Sequence, residues 1–391
     1  MRKTGFLLLV LMGSLASFAQ ELLTPETLLK IGRVSAQGFS QDGSMVYYSV
    51  SVPDMNENKS KTKFYAIPLL GGEAKELASL PQENRVTVEQ QDAENIQVSS
   101  DGRKVIYTKE VKVAPTHSTD RYKNLSKSNV YVYDDLNQRH WDTWEDGSYS
   151  HIFLADVVAG FAVREKDLFE GLAFDCPQKP HGGSEDLLFS PDGKEVIYVT
   201  KKKSGKEYAI STNTDIYAYT IATGETRNLT EGMEGYDTNP AFSSDGRLMA
   251  WQSMEHDGFE SDKNDLWVMN VETGEKTNLT KEWDGTVASF QWSTDNKQLF
   301  FVAAVKGTEQ LFRVEVGEEN PEIRMLTSGQ FDINGIAGQQ GSVLVVSRTD
   351  MNHAAELYTF DLTTSSLKQL THVNDAFYSR LALCDVKERY T

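Results

Sequence analysis

Residues 236–280 read YDTNPAFSSDGRLMAWQSMEHDGFESDKNDLWVMNVETGEKTNLT, and their pattern decides the fold. Pro240–Phe242 leads into a turn. Leu248–Ser253 (LMAWQS), Leu266–Val271 (LWVMNV) and Lys276–Leu279 follow as short β-patterned runs. Asp245-Gly246 separates the first two runs; glycine suits a tight turn because, lacking a Cβ, it takes positive φ without a clash. Thr273-Gly274 makes a second such turn before the last run. Four short antiparallel strands in about 45 residues, repeated along a chain, predict a β-propeller blade.

Working outward, the turn recurs at Ser40-Gln41-Asp42-Gly43, Ser99-Ser100-Asp101-Gly102, Ser190-Pro191-Asp192-Gly193 and Ser293-Thr294-Asp295-Asn296. The unit ends recur as well, at Asn228-Leu229-Thr230, Asn278-Leu279-Thr280, Met325-Leu326-Thr327 and Gln369-Leu370-Thr371. Third strands match at Ile216–Ile221, Leu311–Val316 and Leu357–Leu362. A last unit, Gly335–Ser347 with Leu357–Thr371, keeps these landmarks without the Asp-Gly turn. The expected fold is all-β: a propeller of four-stranded antiparallel blades, six recognisable and a seventh with room near Glu76–Gln97, which is polar and strand-poor. Lone hairpins cannot bury their faces, so the blades are expected to close a ring. Tyr131–Glu185 breaks the period as a long excursion. The Asn-Leu-Thr sequences match a glycosylation sequon but read here as strand ends.

At the start of the chain, Arg2 and Lys3 precede a short apolar run, Phe6–Met12, with Ser17 and Ala19 at the positions a signal peptidase reads. Residues 1–19 are expected to be a signal peptide, too short to anchor in a bilayer, which places the protein in the periplasm or outside the cell. Glu21–Leu29 predicts a short helix with Thr24 as N-cap and Pro25 at its first position; Thr27 at the third position predicts no full capping box. The propeller is expected over 20–375 and a linker over 376–391. The net charge of −18 excludes nucleic acid, whose phosphates need Lys and Arg, and suits cationic partners such as a peptide amine. Nothing later in the chain is long and apolar enough to span a membrane. Two cysteines, Cys176 and Cys384, leave room for one disulfide but neither a disulfide scaffold nor a zinc site.

Function is sought in residues the repeat does not require. Arg139–Asp146 (RHWDTWED) and Ser253–Asp262 (SMEHDGFESD) carry more aromatics and acids than strands and turns demand. Trp141, Trp144, Glu145, Glu255, Glu260 and Asp262 are the candidate substrate-binding residues, since rim carboxylates can hold a peptide amine by charge-assisted hydrogen bonds. The alternative readings are aromatics packed between blades and a solvated acidic face. Lys201-Lys202-Lys203 reads as a solvated hairpin tip. Among the seven histidines no ligand pair occurs at i, i+4, and no metal or cofactor is expected. No G-x-S-x-G nucleophile elbow occurs; Gly182-Gly183-Ser184-Glu185-Asp186 comes nearest and fails. No catalytic residue is nominated.

EGMEGYDTNPAFSSDG with SMEHDGFESDKNDLWV resembles the propeller of bacterial dipeptidyl-peptidase 5-type enzymes of the prolyl oligopeptidase family, and the clusters RHWDTWED, KPHGGSEDLLFSPDGK and STNTDIYAYTIATG resemble the same group in the same order. ELLTPETLLKIGRVSAQGFSQDG resembles the same group. The resemblance implies a propeller that caps a C-terminal α/β-hydrolase domain with a Ser-Asp-His triad and restricts entry to short peptides, with a homodimer through that domain among the assemblies it allows. The triad has no positions here, and Asp385–Thr391 looks like the crossing into that domain. The chain alone is expected to be inactive, and Glu255 and Glu260 are expected near the channel mouth facing the hydrolase. The competing expectation is a stand-alone TolB-like periplasmic module that binds proteins.

Overall fold

The computed structural model describes residues 21–389 apart from 82–85, 90, 91, 137, 141, 181, 319 and 320. Six four-stranded antiparallel sheets form the blades of a propeller. In the blade that opened the sequence reading, the strands are Asp237–Phe242, Leu248–Ser253, Asp265–Asn270 and Lys276–Asn278.

Its first turn is built by side chains. The Ser243 hydroxyl donates to Asp245 Oδ1 at 2.7 Å and accepts from the Leu248 amide at 3.0 Å. Asp245 Oδ1 also accepts from the Arg247 amide at 3.1 Å, and Gly246 sits at φ +70°. The same Ser-to-Asp bond recurs at Ser40, Ser99, Ser190 and Ser293, with Asn296 taking positive φ where the others have glycine. These hydroxyls, with the turn amides, hold Asp42 and Asp245 down at about 2.

The far end of each unit is locked by threonine. Thr280 Oγ1 accepts from the Leu266 amide at 2.9 Å and donates to Asp265 at 2.8 Å. Thr230, Thr327 and Thr371 repeat this between the third strand and the blade end. Thr230 and Thr280 are buried, so the recurring Asn-Leu-Thr spelling follows from the lock at the blade end.

Between blades, alternation along the strands sends successive side chains to opposite neighbours. In the blade of residues 237–278, Met249 and Trp251 pack toward the preceding blade and Ala250 toward the following one. Among the described residues, no strand is exchanged between the first and last blades. They are joined by Asn374, whose side chain bonds both the amide and the carbonyl of Gly32, at 2.8 and 2.9 Å. Glu21 and Leu381 bridge beside that junction.

Three expectations need correction. The second blade comprises Glu94–Val98, Lys104–Lys112, Ser148–Val158 and Phe161–Asp167. The excursion Tyr131–Glu185 therefore contains its two outer strands, and the true insertion is 113–147. Ser148–Val158 is buried on both faces, so the alternation that marks a one-sided strand is missing. Glu76–Gln97 holds the end of the first blade and the start of the second, and no seventh four-stranded blade forms among the described residues; the one further sheet is the two-stranded pair Arg139–His140 and Thr143–Trp144 of the insertion. The first helix is only Pro25–Leu28, but its capping box is complete: the Thr27 hydroxyl takes the role of Glu or Gln, accepting from the Thr24 amide at 2.6 Å. Cys176 is buried, Cys384 exposed, and both are free thiols. The expected signal peptide lies outside the described residues. No helix among those described is long and apolar enough to cross a membrane.

Candidate functional site

Antiparallel order puts the Asp-Gly and Thr-Gly turns at one end of the ring. The loops between second and third strands, the connections between blades and both chain ends gather at the other. A cavity of about 1160 Å³ lies on this loop-bearing face. Asp142, Thr143 and Glu145 reach it from the insertion, and Lys179, Glu185 and Asp186 from the link between the second and third blades. Lys201 and Tyr208 come from the third blade, Met254, Glu260 and Ser261 from the hairpin of the fourth, and Asn239 and Ala288 from inner strands.

Both clusters singled out in the sequence thus reach one cavity, but through only some of their nominated residues. Glu145 and Glu260 line it. Trp144, 56 % exposed, instead stacks on Tyr133 with Arg139 over its ring. Glu255 is exposed and is not among the lining residues. Asp262 accepts from His256 Nδ1 at 2.8 Å and from its amide at 2.7 Å, which shapes the hairpin and raises the His256 imidazole above its usual range. Trp141 lies outside the described residues.

The residue that seats this hairpin is Asp257. Its Oδ1 accepts from the Ser211 hydroxyl at 2.6 Å and the Thr212 amide at 2.8 Å, and Lys203 lies 3.0 Å from Oδ2. Burial works against its charge, yet these donors and the Asn213 amide hold the carboxyl at about 2. Two of the three lysines depart from the solvated tip expected of them: Lys201 and Lys203 are partly buried, whereas Lys202 is exposed. Lys201 Nζ donates to the carbonyls of Tyr208 and Ser211 and lies 3.8 Å from the Tyr208 ring, and burial lowers its ammonium. Lys202 lies 3.6 Å from the Tyr217 ring. The Lys201 stem packs on an aromatic ring while its head reaches carbonyls, and Lys203 is drawn in by Asp257, so these two are partly buried while Lys202 stays exposed.

Deeper in, Asp186 is nearly buried; burial, then Glu185, pushes its carboxyl up to about 7. It accepts from the amides of Gln178 and Asn239. Asn239 reaches it from a bulge in the inner strand, at φ +57°. A Cβ on Gly182 would collide with Asp186, so the glycine leaves that carboxyl its space. Burial and then Asp175 also raise Glu145. Burial alone would lower the Lys179 ammonium, but Asp175 and Glu110 override it and hold it above the ordinary lysine value. Both cations of the cavity are thus engaged by internal partners, while carboxylates remain to receive a positive group. No group of His, Cys, Asp and Glu among the described residues could hold a metal ion. Asp186, Asp257 and Lys201 were missed because turn and strand patterns carry no information on which loop meets which.

Residues 188–377 match the family model for the TolB beta propeller domain. The chain is 36% identical to dipeptidyl-peptidase 5 of Porphyromonas endodontalis, over 94% of this chain and 58% of that protein. It is 32% identical to dipeptidyl-peptidase 5 of Porphyromonas gingivalis, over 95% of this chain and again 58% of the relative. It therefore spans less than two thirds of the length of these relatives. Acylaminoacyl peptidase of Pyrococcus horikoshii superposes with a TM-score of 0.64 at 15% identity, covering 91% of this chain and 55% of that one, a likeness of fold alone.

Proposed function

The chain is homologous to dipeptidyl-peptidase 5 over its propeller, and from that premise we propose that it is the substrate-gating half of an exported serine dipeptidyl-peptidase acting on short peptides. The observation that carries this reading is the convergence on one cavity of the two segments the repeat does not require. The face around the cavity supports it too. Among the described residues, exposed large apolar side chains sit on the loops of that face, among them Leu22, Met55, Tyr131, Trp144, Ile210, Phe259 and Met351. Apolar surface of that kind marks a face that something else covers, and we assign it to the catalytic α/β-hydrolase half.

In this account the propeller performs no covalent step. Acyl transfer belongs to the serine of the other half. Glu145, Glu260 and Asp186 receive the peptide's α-ammonium, whose charge favours the ionised form of Asp186, which releases its proton to solvent as the ammonium arrives. The cavity walls limit what enters with it, so the propeller supplies orientation and selection by size. The test is to incubate the purified 391-residue chain with dipeptidyl substrates. No dipeptide release is expected; release abolished by a serine-directed inhibitor would overturn the assignment.

A further inference from the structure

A second, smaller cavity of about 200 Å³ lies on the loop-bearing face and shares no lining residue with the first. The sixth blade builds it. Arg348 and Asp350 end the second strand of that blade, Val343–Asp350, and Glu356 and Tyr358 come from the third, His353–Asp361. Asp375 and Tyr378 close it from the short helix Asp375–Tyr378. The strand register explains why these groups meet. Arg348 stands opposite Glu356 and Val346 opposite Tyr358, so Arg348 and Tyr358 are diagonal neighbours on one face. Arg348 Cζ lies 4.7 Å from the centre of the Tyr358 ring and 4.2 Å from that of Phe331. The rings hold the guanidinium by its faces and take none of its in-plane N–H bonds. Among the described residues no carboxylate pairs with it and no acceptor receives its hydrogens.

The neighbouring carboxylates are held by other partners. Glu356 accepts from the Thr371 hydroxyl at 2.5 Å and from the Asn374 amide at 3.0 Å, which ties it to the junction with the first blade. Asp350 Oδ1 accepts from the amides of Asn352 and His353 at 2.9 and 3.0 Å and from His353 Nδ1 at 2.8 Å. Its Oδ2 has no hydrogen bond among the described residues. The Tyr378 hydroxyl accepts from the Ala354 amide at 2.7 Å and keeps its own proton to donate. Burial raises the Tyr358 phenol most; beyond that, Arg348 lowers it while Asp350, Glu356 and Asp375 raise it. Four charges of both signs thus surround one hydroxyl.

This mixture of charge selects the ligand. A simple anion reaching Arg348 meets three carboxylates, and a simple cation reaching Asp350 meets the guanidinium. We propose that the pocket binds a small zwitterion, an α-amino acid or a dipeptide, its carboxylate on Arg348 and the Tyr378 hydroxyl and its ammonium on Asp350 Oδ2. A guanidinium fixed by its faces offers a carboxylate two parallel bonds, and the fixing lowers the entropy lost on binding. The volume suits one or two small residues rather than a longer peptide. That a dipeptide bound here is the product of the reaction proposed above rests on that reading; the site itself does not.

Calorimetric titration of the full chain with alanine and with dialanine tests the site, beside N-acetylalanine and alaninamide, each of which lacks one of the two charges. At least one zwitterion is expected to bind, and both single-charge analogues at least about tenfold more weakly. Arg348→Met and Asp350→Asn should each weaken the zwitterion by at least about tenfold, while E145Q/E260Q in the first cavity leaves it unchanged. D350N keeps the Oδ1 acceptor for the turn amides, so it carries the test where R348M fails to fold. Dialanine binding, alone or with alanine, upholds a site open to the product; alanine alone upholds the zwitterion site and rejects the product. No heat from either zwitterion overturns the proposal, as does a single-charge analogue that binds as tightly. Binding that E145Q/E260Q abolishes and that R348M and D350N leave intact rejects this pocket and leaves the proposed function standing.

Discussion

Replacing Asp237 by Asn removes a carboxyl that the fold holds in an uncomfortable place. Asp237 is fully buried; the Trp251 indole donates to its Oδ1 at 3.0 Å, and its Oδ2 has no hydrogen-bond partner among the described residues. Burial pushes the carboxyl up to about 7. The folded value lies above the unfolded one of about 3.9, so the native state binds the extra proton and stability is lost as pH rises from about 4 to about 7. The displacement is worth about 4 kcal/mol, most of it, about 2–3 kcal/mol, falling between pH 5 and pH 8. D237N keeps the acceptor for Trp251 and cannot ionise. Its amide leaves one buried donor unpaired, a pH-independent cost of about 1–3 kcal/mol. Urea unfolding followed by tryptophan fluorescence should therefore place D237N level with or below the parent at pH 5 and gaining on it by about 2–3 kcal/mol by pH 8. Asp186 is present in both proteins and cancels. Parallel stability profiles across that range would refute the assignment of a buried, proton-binding carboxyl.

The other predictions concern local devices. D257A should free the hairpin 254–262 from the third blade, at a cost of about 2–3 kcal/mol for the lost charge-assisted bonds, with hydrogen exchange rising in that hairpin alone. Because Asp257 is held at about 2, below its unfolded value, this contribution is present above about pH 4 and fades as pH falls toward 2, which acid titration of the hairpin's exchange rates would reveal. T280V should leave the buried Leu266 amide unpaired and lower the unfolding free energy by about 1–3 kcal/mol, whereas T273V at the exposed turn should change it by less than about 0.5 kcal/mol. G147A should destabilise the neck of the insertion by about 1–3 kcal/mol or more, since Gly147 sits at φ +87° and a Cβ there would meet the Ala114 carbonyl; limited proteolysis within 113–147 reads the loss.

The blade was legible because its determinants are local. Ser243, Asp245 and Gly246 close one turn within five residues, and Thr280 reaches back only to Leu266 across one hairpin. The second blade was not, because the insertion 113–147 separates its second and third strands, and Ser148–Val158, buried on both faces, shows no alternation. The site was half legible. An excess of acids in RHWDTWED and SMEHDGFESD singled out two segments that both reach the cavity, yet their spacing could not say that Glu260 lines it while Asp257 and Asp262 are spent on seating and shaping the loop. Asp186 gave no signal beside the Asp-Gly turn of its own blade. Its burial comes from Gln178 and from the bulged Asn239, a residue more than fifty positions away.

Calorimetric titration of the chain with a short peptide and with its N-acetylated twin probes the role of the cavity most directly. If Glu145, Glu260 and Asp186 hold a peptide ammonium, the free-amine peptide binds, the acetylated one binds at least about tenfold more weakly, and E145Q/E260Q brings the two together. Equal affinity for the two peptides, or a difference that survives E145Q/E260Q and D186N alike, would contradict the account.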